Sequence, residues 1–175
     1  MNAERFRIAD RLLRSDQHRD LLVTVASPSM VLSAFASELY FKCIIAMETK
    51  GKPTPQSHDL EALFKMLSLA SRKRLEQLWN IAEANPQVAR MRAALLATTG
   101  DTIPTDLAWS LKNGRSAFIR LRYVHEDDGM GTSFMLTDLP EMLRQVVVEM
   151  QPVWQFITHG PPKLVPGFGP LNGSE

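Results

Sequence analysis

The chain has 175 residues, of which 45% are apolar, and its 20 basic and 19 acidic side chains leave a net charge of +1. This length indicates one domain with a real core, and the charge balance argues against polyanion binding by bulk charge. The single cysteine, Cys43, excludes an intramolecular disulfide and a thiolate zinc site. Because no leader opens the chain and no apolar run approaches the roughly 18 residues that span a membrane, we expect a cytoplasmic protein without a membrane partner.

The chain opens with two predicted helices. The first covers residues 3–22, with its arginines on the open face. Its inward positions, at helical spacing, are Phe6, Ala9 and Leu12 or Leu13. Ser27 and Pro28 form a helix-start signal, and the helix that they open, to about Thr49, is apolar nearly all round. Such a helix is typical of the centre of a bundle.

Three further helices follow a loop at residues 50–56, whose glycine and prolines interrupt the helical pattern. Ser57, Ser71 and Asn85 are the predicted caps of these helices, and Gly100 ends the last of them. Each helix carries apolar residues at helical spacing, so each is predicted to bury one face.

The densest set of polar groups lies on a predicted helix from Leu107 to Asp128. Its apolar stripe consists of Leu107, Leu111, Gly114, Phe118 and Leu121. Two polar flanks edge this stripe, and His125 lies at its C-terminal end. One flank carries Arg115 and Arg122, and the other carries Trp109, Ser116, Arg120 and Tyr123.

A last helix is predicted from Asp138, which with Glu141 resembles a capping box, to about Ile157. Its inward positions are Leu139, Leu143, Val146, Met150, Val153 and Ile157. No segment has the sustained alternation of a strand. We therefore predict an all-α, antiparallel up-down bundle of about four long helices plus shorter ones. It forms one domain over residues 1–158, and the Pro- and Gly-rich residues 159–175 form a flexible tail.

Two segments resemble the HEPN superfamily of helical-bundle proteins. Residues 33–67 carry Glu38 and Lys42 four apart on a central helix, then a short loop and His58-Asp-Leu-x-x-Leu, similar to the early helices of that family. Residues 117–126, AFIRLRYVHE, are similar to its late helix with an Arg-Tyr signature. The resemblance implies an up-down bundle of HEPN type, commonly dimeric, in a toxin–antitoxin or defence setting.

Many members of that family are endoribonucleases that need no metal or other cofactor and carry an arginine and a histidine separated by four to six residues. Arg120 and His125, with four residues between them, match this spacing. Leu121 departs from the pattern, because active members usually have a polar residue there. The resemblance implies that His125 takes the 2′-hydroxyl proton and Arg120 holds the phosphate. The further substrate contacts that we expect are Arg115, Arg122 and Tyr123.

A second interpretation assigns structural roles to the same residues. His125 would end the buried stripe and bond to the bundle, while Arg120 and Arg122 would pair with the acids at 126–128. The protein would then be a noncatalytic helical module for dimerisation or protein interaction. Glu38 and Lys42 are expected to pair in a structural polar cluster.

His58, at a helix start, is assigned to that cluster for its packing and hydrogen bonding rather than for catalysis. The partners expected from the resemblance are a second copy of the chain, RNA or a nucleotide, and an antitoxin or nucleotidyltransferase protein. The four scattered histidines have no metal-ligand spacing, so we expect no metal site.

Overall fold

A computed structural model describes residues 2–15, 22–100, 102, 104–115, 118, 136 and 138–154, with the backbone alone for 22–25, 91, 95 and 99. Every regular element in that part of the chain is an α-helix, which confirms the all-α class. The helices are α1 Asn2–Leu13, α2 Leu22–Glu48, α3 Leu60–Met66, α4 Leu69–Glu83, α5 Pro86–Thr99, α6 Leu107–Gly114 and α7 Leu139–Met150.

Helix α2 is the central helix, as predicted. It contacts α1, α3 and α7, while α6 packs on α3 and α4 packs on α7. Its most deeply buried residues are Ser33, Ala34, Ala36, Ser37, Glu38, Tyr40, Phe41 and Ile44. Leu32, Leu39 and Cys43 are only partly buried, because the face of α2 that packs against the neighbouring helices carries small serines and alanines together with these larger residues.

The start of α2 differs from the prediction. The helix begins at Leu22, and Pro28 lies inside it rather than at its first turn. Proline cannot donate the backbone hydrogen bond of its position, yet the following Ser29 is buried and donates to the Asp10 carboxylate of α1. The contact between Ser29 and Asp10 thus lies one residue from Pro28, where the helix lacks a backbone hydrogen bond. Positive φ angles at Lys50 and Gly51 then confirm the predicted loop.

By length and composition, Ala26–Glu48 is apolar enough to cross a membrane, with 23 residues and a mean hydropathy of 1.5. This finding corrects the expectation that no apolar run reaches such a length. Half of the segment is buried inside the protein.

The inward face of α1 carries buried charges that were not predicted, beside the predicted Phe6, whose ring packs edge-on against Phe35 with centroids 4.6 Å apart. Glu4, Arg7 and Asp10 are almost fully buried, whereas Leu12 is 60% exposed. The helix also ends at Leu13 and not near residue 22. A buried charge is tolerated only when partners replace its hydration, so the packing of α1 depends on ion pairs.

Glu4 has three kinds of partner. Its oxygens accept from the Arg7 guanidinium at 2.6 and 3.0 Å and from the Tyr40 hydroxyl, and Arg144 lies 3.4 Å away. Burial alone would raise the pKa of Glu4, but the hydrogen bonds from Arg7 and Tyr40 and the charges of both arginines outweigh it and lower that pKa. Arg7 also donates to Glu141, so this group joins α1, α2 and α7.

Asp138 and Glu141 do not form the predicted capping box. Asp138 precedes α7 but makes no side-chain cap, and its carboxylate instead accepts from Arg14 at 3.1 Å. Glu141 is bonded to Arg7. Both acids therefore pair with arginines on or directly after α1. A capping motif is defined by residues close in sequence and cannot predict such distant partners.

Helix α7 is shorter than predicted. It ends at Met150. Its inward residues Leu139, Leu143 and Val146 are buried, which confirms the first half of the predicted stripe, but Met150 and Val153 are exposed. Ile157 and the predicted tail at 159–175 lie outside the described residues.

Two of the predicted caps are also displaced. Asp59, not Ser57, caps α3 by accepting from the Ala62 amide, and Ser68 caps α4. Ser71 is buried and donates to Glu48 at 2.6 Å. The predictions at Asn85 and Gly100 are confirmed, with Gly100 in the left-handed conformation.

Helix α6 confirms the beginning of the late apolar stripe. Leu107, Leu111 and Gly114 are buried, and Phe118 is half-buried against the core. The rest of the predicted helix, including Leu121, lies outside the described residues.

Replacement of Arg7 tests the buried ion pairs. Arg7→Met leaves the Glu4 carboxylate buried without its main partner, and we expect a loss of about 3–5 kcal/mol in the free energy of unfolding, measured with urea. Arg5→Met on the exposed face of α1 is the matched control and is expected to change stability little. Equal losses in the two variants would contradict the assignment.

The lowered pKa of Glu4 predicts the direction of a pH effect. A carboxyl whose folded pKa lies below its unfolded value stabilises the protein above the unfolded value, and this contribution is lost as the pH falls through the folded value. We expect the urea concentration at the unfolding midpoint to decrease as the pH is lowered below about 4.5. In Glu4→Gln this decrease with pH should be less steep. Parallel curves for the two proteins would show that Glu4 is not responsible.

Candidate functional site

The predicted catalytic pair, Arg120 and His125, and the predicted contacts Arg122 and Tyr123 lie outside the described residues. Arg115 is described, and its exposed side chain follows the last residue of α6. Its carbonyl accepts the Leu60 amide of α3 at 3.1 Å. The structure therefore brings Arg115 to the point where α3 begins.

Glu38, Lys42 and His58 lie together. The Glu38 carboxylate, on the inner side of α2, is 1% exposed. One oxygen accepts from Lys42 Nζ at 2.8 Å, and the other lies 3.0 Å from His58 Nδ1. These contacts supply the pairing that a buried carboxylate requires. We call these three residues the Glu38 cluster.

Local structure explains how His58 reaches α2. His58 lies in the loop directly before α3, between Ser57 and Asp59. Ser57 Oγ accepts from the Asp59 amide at 3.0 Å, and Asp59 caps the helix, so the loop backbone is held on both sides of the histidine. Lys42 needs no such arrangement, because residues four apart on a helix are neighbours.

Phe118 connects the late segment to the Glu38 cluster. Its ring is stacked on Phe35 of α2, with centroids 4.5 Å apart, and lies 6.0 Å from the His58 ring. Phe35 precedes Glu38 by one helical turn. The residue two positions before Arg120 therefore contacts the surroundings of the cluster. The predicted apolar stripe correctly placed Phe118 on the side that faces the core. Periodicity could not identify Phe35 or His58 as its neighbours.

Several cations surround the same corner. Lys65 is bonded to Glu61 at 2.5 Å and lowers the pKa of that carboxyl, and the charges of Arg115 and Lys112 lower it further. Lys65, Lys112 and Arg115 are exposed. Lys65 is already paired with Glu61, so the cations that remain at the corner between α3 and α6 to attract an anion such as phosphate are Lys112 and Arg115.

A second polar site is less suited to an anion. An open pocket of about 580 Å³ lies between α1 and α7 and is lined by Arg11, Arg14, Ser15, Asp138 and Glu141. Its arginines are already paired with its acids. Within the described part of the chain, no three His, Cys, Asp or Glu residues are placed to hold a metal ion.

Comparison with protein-family models, with curated proteins and with solved structures finds no match to this chain. No matched protein therefore supplies a function for this chain.

Substitution of Glu38 tests the cluster. Glu38→Gln keeps the shape but removes the charge that Lys42 and His58 share, so we expect a loss of about 1.5–3 kcal/mol in the free energy of unfolding. Glu61→Gln removes an equivalent carboxylate, also four residues from a lysine, from a more exposed position and is the matched control. A loss no greater than that of the control would show that the cluster does not stabilise the fold.

Proposed function

We propose that this chain is a HEPN-like helical protein that binds RNA or nucleotides and cleaves RNA without a metal ion. The proposal includes the finer fold, an antiparallel up-down bundle of HEPN type. Its support is the sequence resemblance together with the central position of α2, which the resemblance also implies.

The contact of Phe118 with Phe35 and His58 is the observation that carries the proposal. It brings the start of the segment with the Arg120 and His125 motif beside the buried Glu38 cluster and the cationic corner. Phe118 is the described residue of the late segment that resembles the family, and it contacts the early segment that also resembles it. A proton-transfer group and cations at one corner suit RNA cleavage.

In the proposed reaction, His125 takes the proton of the RNA 2′-hydroxyl, and the oxygen then attacks phosphorus. Arg120 stabilises the charge on the phosphate oxygens through its planar guanidinium. Arg115, Arg122 and Tyr123 contact the substrate backbone. A helix places positions 120 and 125 about 140° apart, so we propose that two copies of the chain combine their motifs in a homodimer.

The remaining proposals concern the cellular location of the protein and its protein partners. The resemblance favours a cytoplasmic toxin–antitoxin or defence protein, with an antitoxin or nucleotidyltransferase as protein partner. No contact among the described residues identifies that partner.

A noncatalytic interaction module is the alternative. It is favoured by apolar side chains on α4 and α5 that face solvent, namely Leu69, Ile81 and Leu96. Large apolar side chains that face solvent can contribute to a protein-binding surface. The acids at 126–128, which would repel a phosphate next to His125, also favour it.

Cleavage of structured RNA in EDTA distinguishes the two functions. We expect the purified protein to cleave RNA, and Arg120→Ala and His125→Ala each to lower the rate by about 10²-fold or more. Circular dichroism checks that both variants fold. If the protein does not cleave RNA, or if all three proteins cleave it equally, the ribonuclease proposal is wrong.

A further inference from the structure

Arg72, near the start of α4, differs from the other arginines whose side chains are buried or partly buried. Its Nε is buried and has no hydrogen-bond acceptor, and no residue in the described part of the chain forms an ion pair with its guanidinium. A buried polar group without a partner is rare in folded proteins and calls for a specific explanation. Each of the other described arginines of this kind has a carboxylate partner, namely Arg7, Arg14, Arg74, Arg92 and Arg144.

The helix places Arg72 at the border between the core and solvent. Ser71 and Leu75, on one side of it, are buried. On the other side, Leu69 is 60% exposed, and Lys73 is exposed as well. Residues three and four apart are neighbours on a helix, so Leu69 lies beside both cations. We call Leu69, Arg72 and Lys73 the α4 surface.

Arg72 is able to receive a ligand. Only Nε is buried among its nitrogens without a partner, which leaves both Nη groups for a ligand. These groups form a planar fork that matches the two oxygens of a carboxylate. The guanidinium is thus partly withdrawn from water without being neutralised, and an anionic partner would supply the missing pair.

The residues around Arg72 favour a protein over a nucleic acid as that partner. Nucleic-acid interfaces are polar and strongly positive. Here Leu69 presents a large apolar side chain, and Met66 at the end of α3 is another, 52% exposed. Glu76, an exposed acid one turn after Arg72, also opposes a run of phosphates more than it opposes a single carboxylate. Methionine and arginine are enriched where proteins meet one another.

We propose that the α4 surface binds a segment of a partner protein that presents a carboxylate beside an apolar side chain. The carboxylate accepts from the two Nη groups of Arg72, and the apolar side chain packs on Leu69. Lys73 adds to the positive charge that attracts such an acidic segment. This inference does not rest on RNA cleavage and holds whether or not the chain is a ribonuclease.

A phage-displayed library of random 12-residue peptides tests the chemistry of the partner. The library is selected on the full-length protein, and peptides that also bind Arg72→Met are removed. We expect the retained peptides to carry Asp or Glu within four residues of a large apolar residue. In fluorescence anisotropy, Leu69→Ser and Arg72→Met should each weaken binding of the synthetic peptide by about 10-fold or more, because arginines and their apolar neighbours carry much of the binding energy at interfaces.

Two controls separate binding from folding. Arg90→Met removes an exposed arginine of α5 and should leave peptide binding unchanged. Arg72→Met has no ion pair to lose and should keep its melting temperature, whereas Arg92→Met breaks the pair with Glu83 and should lower it. An equal decrease in Arg72→Met and Arg92→Met would show that Arg72 has a structural role, and the proposal would be wrong.

Other results would also overturn the proposal. If no peptide is retained, or if the retained peptides lack an acidic residue, the α4 surface does not bind the partner described. Sedimentation velocity tests a second copy of the chain as the occupant, which self-association that Arg72→Met abolishes would show. Binding of a 12-nucleotide uridine strand that Arg72→Met weakens by a similar factor would instead identify a phosphate as the ligand.

Discussion

The arrangement of the helices depends on the pairing of carboxylates along α2. Four of them lie on or against this helix, and each joins it to another part of the chain. They are Asp10 at Ser29, Glu4 at Tyr40, Glu38 at His58, and Glu48 at Ser68 and Ser71. Glu4, Asp10 and Glu38 are buried, whereas Glu48 is partly buried, and a carboxylate removed from water costs several kcal/mol unless a donor replaces its hydration. The pairs therefore define where the helices meet α2.

The same requirement produces the candidate site. Glu38 could satisfy one oxygen within α2 through Lys42, but the second oxygen needs a donor from elsewhere, and His58 supplies it. The loop before α3 is thereby attached to α2, and α6 and Phe118 follow through α3. A histidine bound for structural reasons thus becomes an oriented, partly exposed imidazole. Structural and chemical roles are compatible at this residue.

Periodicity predicted the helices and the central position of α2, because apolar stripes follow from local sequence. It failed where polar residues have distant partners. Arg7 was predicted to face solvent, because periodicity within α1 cannot reveal a partner such as Glu141, which lies 134 residues away in sequence. Ser71 was predicted to be a cap, although its hydroxyl donates to Glu48. Glu38 and Lys42 were paired correctly because helical spacing makes them neighbours, and His58 was correctly assigned to their cluster, although the atoms that meet, Glu38 Oε2 and His58 Nδ1, could be identified only from the fold.

The backbone hydrogen bond from the Leu60 amide to the Arg115 carbonyl has an electrostatic consequence. It joins the first residue of α3 to the end of α6, so the positive end of one helix dipole meets the negative end of the other. The two dipoles cancel where they meet, and the first amides of α3 are already occupied. An anion at this corner would then be attracted by exposed cationic side chains and not by helix ends, and such attraction weakens as salt concentration rises.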